Sequence, residues 1–190
     1  MSTEQIPSRP LSVTMVCGFT GAGKSTVIRE LLAERGPERW ALLVHDRSEH
    51  EWVASGESNS TVELLHLGES LAELMRPCAG CSFREALTDA ILSIARMRRF
   101  DRLIVECSGF VEPTLVASIF NDAIADQEAL AGLARLDQLV TVVDAETVWG
   151  GVRSSAELGK CGMSGGEDDT RTLSELLVEQ IEHCNSDSVL

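Results

Sequence analysis

Nine consecutive residues, Gly18-Phe19-Thr20-Gly21-Ala22-Gly23-Lys24-Ser25-Thr26, have the types and spacing to hold a phosphate ester. A glycine, four residues, then Gly-Lys-Ser is the phosphate-loop pattern. Gly18, Gly21 and Gly23 let the backbone approach an anion closely and adopt angles that a side chain forbids. Lys24 brings a mobile positive charge to the β- and γ-phosphates of a nucleoside triphosphate. Ser25 offers a hydroxyl to Mg²⁺, Thr26 can donate to the α-phosphate, and Ala22 completes the loop. The candidate nucleotide-binding residues are therefore Gly18, Gly21, Ala22, Gly23, Lys24, Ser25 and Thr26. The loop alone does not choose between ATP and GTP.

Three further clusters could do chemistry. Arg102-Leu103-Ile104-Val105-Glu106-Cys107-Ser108-Gly109 is an apolar run ending in an acid and a small polar turn. Such a run delivers a carboxylate to the carboxyl edge of a sheet, where ligands of open α/β sheets bind. Glu106 is a candidate for the Mg²⁺ shell or for orienting a water, and Gly109 for an N–H to the γ-phosphate. His45-Asp46-Arg47-Ser48-Glu49-His50 gathers two imidazoles and two carboxylates. It suits a switch segment touching Mg²⁺ or a transition metal, and equally an exposed polar loop. Cys78-Ala79-Gly80-Cys81 holds two thiols at a spacing that fits one metal ion or a redox pair. Two thiols leave a Zn²⁺ ion short of its usual four ligands. His45, Asp46, Glu49, His50 and His66 are the candidates to complete the set.

Strands and helices must position these groups. Strands are expected at Ser12–Cys17, Trp40–His45, Val62–Leu67, Leu103–Cys107 and Leu139–Asp144. Helices are expected at Ser25–Glu34, Arg84–Arg98, Pro113–Ala125 and Thr172–His183. Leu87, Ala90, Ile91, Ile94 and Ala95 recur at helical spacing. The alternation of strand and helix implies a mostly parallel sheet covered on both faces. The polar stretch Met1–Pro10 reads as a flexible N-terminus. Residues 159–170, rich in glycine and acid, read as a mobile loop within the domain that runs from 11 to 190.

Composition narrows the function. The chain has 190 residues, 44% of them hydrophobic, so it can bury one substantial core. A formal net charge of −14 argues against a nucleic-acid partner. No apolar run is long enough to cross a bilayer, and Met1–Pro10 lacks the apolar centre of a secretory signal, so no membrane partner and a cytoplasmic location are expected. Six cysteines in that setting suggest free thiols or metal ligands rather than a disulfide framework. Cys17 and Cys107 lie in apolar runs and read as small core residues.

These motifs in this order resemble the CobW-like GTPases, a group of metallochaperones and metal-insertion proteins that includes nitrile hydratase activators. The likeness rests on the phosphate loop, on His45-Asp46-Arg47-Ser48-Glu49, on Cys78-Ala79-Gly80-Cys81-Ser82-Phe83-Arg84, on Val105-Glu106-Cys107-Ser108-Gly109-Phe110-Val111-Glu112-Pro113, and on Leu136-Asp137-Gln138-Leu139-Val140-Thr141-Val142-Val143-Asp144-Ala145. It spans residues 11 to 145, and Leu177-Val178-Glu179-Gln180-Ile181-Glu182 resembles a further family helix. The resemblance implies a P-loop NTPase three-layer sandwich that couples GTP hydrolysis to delivery of Zn²⁺, or of Co²⁺ or Fe, to a metalloenzyme client. By matching positions, Lys24 would be catalytic, and Glu106 and Gly109 would serve the second phosphate motif; Glu106 or Asp46 would orient the attacking water. Ser25 and Glu106 would hold Mg²⁺, and Cys78, Cys81, His45 and Glu49 would hold the delivered metal. GTP or GDP, Mg²⁺ and Zn²⁺ are the implied small partners, and a homodimer stays open.

The sequence departs from that pattern at four places. Gly80 stands where the family has a middle cysteine, Arg76-Pro77 where it has Asn-Gly, and His45 where it has Asn. The Asn/Thr-Lys-x-Asp segment that reads guanine does not occur before Leu190. The expectation is a domain whose C-terminal part is missing, ending where the guanine-reading strand should begin. Two other functions stay open on the residues alone: an ATP-using P-loop enzyme such as a small kinase, and a degenerate module that binds metal or nucleotide without turnover.

Overall fold

In a computed structural model, residues 9–34, 36–45, 62–67, 80–125, 129–159, 170–184 and 186–189 are described. Six strands form one sheet: β1 (Leu11–Cys17), β2 (Trp40–His45), β3 (Val62–Leu67), β4 (Arg102–Glu106), β5 (Ala134–Val143) and β6 (Ser186–Val189). Their order is β3-β2-β4-β1-β5-β6, and every neighbouring pair is parallel. Parallel neighbours need long crossovers. These are α1 (Lys24–Ala33), α2 (Gly80–Arg96), α3 (Pro113–Ala125), α4 (Ala129–Leu133), α5 (Val148–Val152) and α6 (Leu173–Glu182).

β1 lies at the centre of the sheet, and all seven of its residues are buried. Its side chains alternate between two apolar clusters, as the strand period requires. Leu11, Val13, Met15 and Cys17 join Leu87, Ile91 and Ile94 of α2 and Val116, Ile119 and Phe120 of α3. Val16 joins Val27, Ile28 and Leu32 of α1, with Ile104 of β4 and Val142 of β5. Helices on two faces of one parallel sheet make the α/β three-layer sandwich that the sequence implies.

The register explains the site. Val16 of β1 lies opposite Glu106 of β4, and Cys17 opposite Thr141 of β5. The carboxyl ends of three adjacent strands therefore meet where the glycine-rich loop begins. Strand order runs outward from β1 both ways, through β4 on one side and β5 on the other, and such a switch point is where open α/β sheets bind ligands.

Five elements differ from the sequence expectation by more than a residue. Helix α2 begins at Gly80, four residues early, which places Cys81 in its first turn. Strand β5 begins at Ala134, because the apolar run from Leu139 is preceded by residues that pair with the start of β1. The five-residue helices α4 and α5 are too short to show a period. Ser186–Val189 form an edge strand beside β5, so β6 is present where only the beginning of a strand was expected. The expected flexible N-terminus and mobile loop fall mainly on residues 1–8 and 160–169, outside the described residues.

Candidate nucleotide site

The loop after β1 is shaped by close backbone approaches. At Gly18, with φ +131°, a Cβ would lie 2.2 Å from the carbonyl oxygen of Val142, so the loop leaves the sheet pressed against β5. Gly21 and Gly23 also have positive φ, at 85° and 94°. Within the loop, the amide of Ala22 donates to the carbonyl of Phe19 at 3.1 Å. Gly23 is the N-cap of α1, with no side-chain cap and no acidic residue in the first turn. The N–H groups that open an α-helix lack intrahelical partners, so this end is left to an anion.

Lys24 lies back over the loop. Its Nζ donates to the carbonyls of Gly18 at 3.0 Å and Phe19 at 3.1 Å. Burial pushes its ammonium below the ordinary lysine value, and the neighbouring Glu106 carboxylate, Cys107 and Cys17 oppose that shift. Ser25 Oγ donates to Glu106 Oε1 at 3.1 Å, across 81 residues of sequence. Glu106 is buried at 6% exposure. A hydroxyl and a carboxylate beside a phosphate loop are a hard, all-oxygen donor set that fits Mg²⁺. Thr26 is exposed at the start of α1, and its amide donates to the carbonyl of Gly23 at 3.0 Å.

The turn after β4 closes the other side. A Cβ on Gly109 would sit 2.5 Å from Thr20 Oγ1 and 2.7 Å from the Thr20 amide nitrogen, so only glycine lets this turn touch the loop. The rings of Phe19 and Phe110 meet edge to face, 6.0 Å apart. Cys17 and Cys107 are both buried at the root of the site. Hydrogen bonding with Cys17, then burial, push the Cys107 thiol up. It stays protonated at neutral pH, as a core thiol does.

An apolar cleft of about 400 Å³ adjoins the loop. Phe19–Ala22 form one wall, the end of β5 a second, and Leu173 and Leu177 of α6 a third. At its rim, Asp144 accepts from Thr147 Oγ1 at 2.7 Å and from the Glu146 amide at 2.9 Å. Those bonds, the Thr147 hydroxyl first, hold its carboxyl below the usual range.

The structure thus brings together Gly18, Gly21, Ala22, Gly23, Lys24, Ser25, Thr26, Glu106 and Gly109. Asp46, Glu49 and Cys78 lie outside the described residues. His45 ends β2 and Cys81 lies in the first turn of α2, but their side chains also lie outside. Among the described residues, no group of three His, Cys, Asp or Glu side chains could hold a metal ion.

A family profile described as the CobW/HypB/UreG nucleotide-binding domain matches residues 12–188. The chain belongs to this family. It is 32% identical over 92% of its length to the zinc-regulated GTPase metalloprotein activator 1 of Dictyostelium discoideum, of which it covers 38%. It is 30% identical over 72% of its length to the zinc chaperone YjiA of Escherichia coli, of which it covers 41%. The chain therefore spans about two fifths of the curated relatives it matches. Among solved structures, a zinc-bound triple mutant of the YjiA GTPase aligns at TM-score 0.48 and 19% identity, covering 82% of this chain and 48% of that one.

Sequence reasoning missed Gln180 on α6, which reaches the turn after β4. Gln180 Nε2 donates to the carbonyls of Gly109 at 3.1 Å and Val111 at 3.2 Å. A lone polar residue on the buried face of an amphipathic helix was the one available signal.

Proposed function

We propose that this chain is the GTP-binding and GTP-hydrolysing domain of a metallochaperone that delivers zinc, or a related transition metal, to a metalloenzyme client. The observation that carries the nucleotide reading is the Ser25–Glu106 contact beside an uncapped helix N-terminus, with Lys24 folded over the loop. The names of the relatives, a zinc-regulated GTPase activator and a zinc chaperone, support the choice of nucleotide and of cargo.

The chemistry follows from the donor set. Mg²⁺, when bound, neutralises charge on the β- and γ-phosphates. Ser25 and Glu106 would hold it. Lys24 would give up the carbonyls of Gly18 and Phe19 for phosphate oxygens. Burial makes that exchange favourable, because a desolvated ammonium gains more from an anion than from two neutral carbonyls. Gly109 would offer its N–H to the γ-phosphate, and Asp46 or Glu106 would orient the attacking water.

The cargo site is proposed at Cys78 and Cys81, with His45 and Glu49 completing it. Thiolates and imidazole suit Zn²⁺, and the set also accepts Co²⁺, Ni²⁺ or Fe²⁺. A cytoplasmic location and a homodimer belong to the same proposal. No helix among the described residues is long and apolar enough to cross a membrane.

An ATP-using kinase needs lid arginines, and in the cluster Arg96, Arg98 and Arg99 one member, Arg99, is engaged elsewhere. Arg99 pairs with Glu63 of β3 at 2.5 Å and stacks on Phe100, 4.8 Å from the ring centroid.

The test is a titration of the metal-free chain with labelled GDP and ADP in Mg²⁺. A clear preference for GDP is expected; equal weak binding or none would defeat the GTPase reading. Separately, Cys78→Ser combined with Cys81→Ser should weaken Zn²⁺ binding by about tenfold or more, since thiolates supply most of the affinity of such sites. A zinc titration identical to the parent's would move the cargo site elsewhere.

A further inference from the structure

We propose that Gln180 is the positioning residue for the phosphate-facing turn Ser108–Val111, and so sets how well this site tells a triphosphate from a diphosphate. This rests on the nucleotide reading above.

Three observations meet at one side chain. Gln180 is fully buried, and a buried amide is costly unless it is hydrogen-bonded. Its Nε2 spends both N–H groups on the Gly109 and Val111 carbonyls. Two carbonyl partners also fix which way the amide faces, because only the nitrogen can donate to them. Its own backbone carbonyl accepts from Thr141 Oγ1 at 2.6 Å, and Thr141 lies opposite Cys17, the residue before the phosphate loop. The side chain therefore ties the turn after β4 to a helix that is itself anchored on β5.

The turn has no latitude on its opposite side. Gly109 packs against Thr20 without room for a Cβ, and Phe110 packs on Phe19. Its backbone thus lies between the phosphate loop and Gln180. Two flanking contacts pull the same segment toward α6: Arg171 with Glu112, and Thr114 Oγ1 donating to Glu179 Oε1 at 2.5 Å. Both flanking contacts are at least partly exposed, so Gln180 is the desolvated member of the set.

Gln180 Oε1 is buried and has no partner among the described residues. An apolar residue would fill the same space without that cost. The amide is held here for its donor, which a methionine of the same length does not supply.

The experiment compares the parent chain with Gln180→Met and Gln180→Asn. The readouts are labelled GDP affinity, affinity for a non-hydrolysable GTP analogue, steady-state kcat, and hydrogen exchange at Ser108–Val111 without nucleotide. For Gln180→Met we expect GDP affinity close to the parent's. Preference for the GTP analogue and kcat should each fall by about tenfold, the scale of one or two lost hydrogen bonds. Gln180→Asn, which keeps the amide on a shorter stem, should lie between. Exchange at Gly109–Val111 should quicken in Gln180→Met while the amides of β1 keep their protection. The proposal is overturned if Gln180→Met keeps the parent's discrimination and kcat, or if GDP affinity falls as much as analogue affinity, which would make Gln180 a packing residue. If the parent binds no guanine nucleotide, the functional reading fails by itself. The exchange data then decide the positioning claim, and unchanged exchange overturns it.

Discussion

Helices α1 and α6 are both ten residues long and begin in opposite ways. α6 opens on a capping box. Thr172 accepts from the Glu175 amide, and the Glu175 side chain accepts from the Thr172 amide at 2.7 Å. That satisfies two of the open donors and puts an acid where the helix dipole favours it. α1 opens on a left-handed glycine, without a side-chain cap, and with Lys24 in its first turn. The start of α1 lacks the side-chain cap and first-turn acid that stabilise the start of α6. Helix termini that break local rules are where function is expected, because a ligand must supply what the sequence withholds. α6 keeps the rules because its task is to hold Gln180 still.

The largest effect should come from the residue that sets α1's loop against the sheet. Gly18→Ala drives a Cβ into the Val142 carbonyl at a φ that L-residues avoid. A cost of at least about 3 kcal/mol is expected, with the melting temperature falling by roughly 6–12 °C. Thermal unfolding checks it; a variant melting with the parent would mean that β5 does not constrain the loop.

Lys24→Ala comes next and separates the two helix ends by function. Labelled GDP should bind about a hundredfold more weakly, the loss of a charge-assisted phosphate contact in a partly buried site. The fold should persist, because among the described residues the Lys24 ammonium hydrogen-bonds to the loop's own carbonyls at Gly18 and Phe19. Unchanged GDP affinity would remove the contrast between α1 and α6.

Thr172→Ala is the matching change at the other end. Loss of the cap should cost about 1 kcal/mol, or about 2–4 °C, and leave GDP affinity near the parent's. If GDP affinity fell as far as in Lys24→Ala, the division of labour between the helices would be wrong.

The same comparison shows what could be read from sequence. The phosphate loop was legible because its residues lie within nine positions and each type has one physical reason to be there. β2, β3 and α3 were legible to the residue because their apolar periods run their whole length. Glu106 could be named but not its contact, because Ser25 meets it across 81 residues. Gln180 meets the Gly109 turn across 71, with no local motif to announce it. The edge strand Ser186–Val189 carries two serines and an aspartate, and only pairing with β5 makes it a strand. Local chemistry was visible, and the contacts that hold it in register were not.

The smallest effect belongs at the opposite edge of the sheet, where neither helix end is involved. Arg39 precedes β2 and Asp101 precedes β4, and Asp101 Oδ2 accepts from the Arg39 amide at 2.9 Å and from its Nε at 3.3 Å. Burial alone would raise the Asp101 carboxyl, but the Arg39 amide, guanidinium and charge outweigh it and hold the group below its ordinary value. A depressed carboxylate stabilises the fold above its unfolded pKa, and that stability is lost as pH falls through the folded value. Both side chains are about a third exposed, so solvent screening keeps the contribution below about 1 kcal/mol. Asp101→Asn should therefore lower the melting temperature by no more than about 2–4 °C at pH 7. The gap to the parent should stay constant down to about pH 5, begin to narrow near pH 4, and close only as pH falls through the depressed folded value. Labelled GDP should bind as it does to the parent. A gap that did not narrow at all as pH fell below about 4 and on to the acid end of the titration would mean that the Arg39 contact does not depend on the carboxylate charge. A loss of GDP affinity would mean that this edge of the sheet communicates with the phosphate loop through β4.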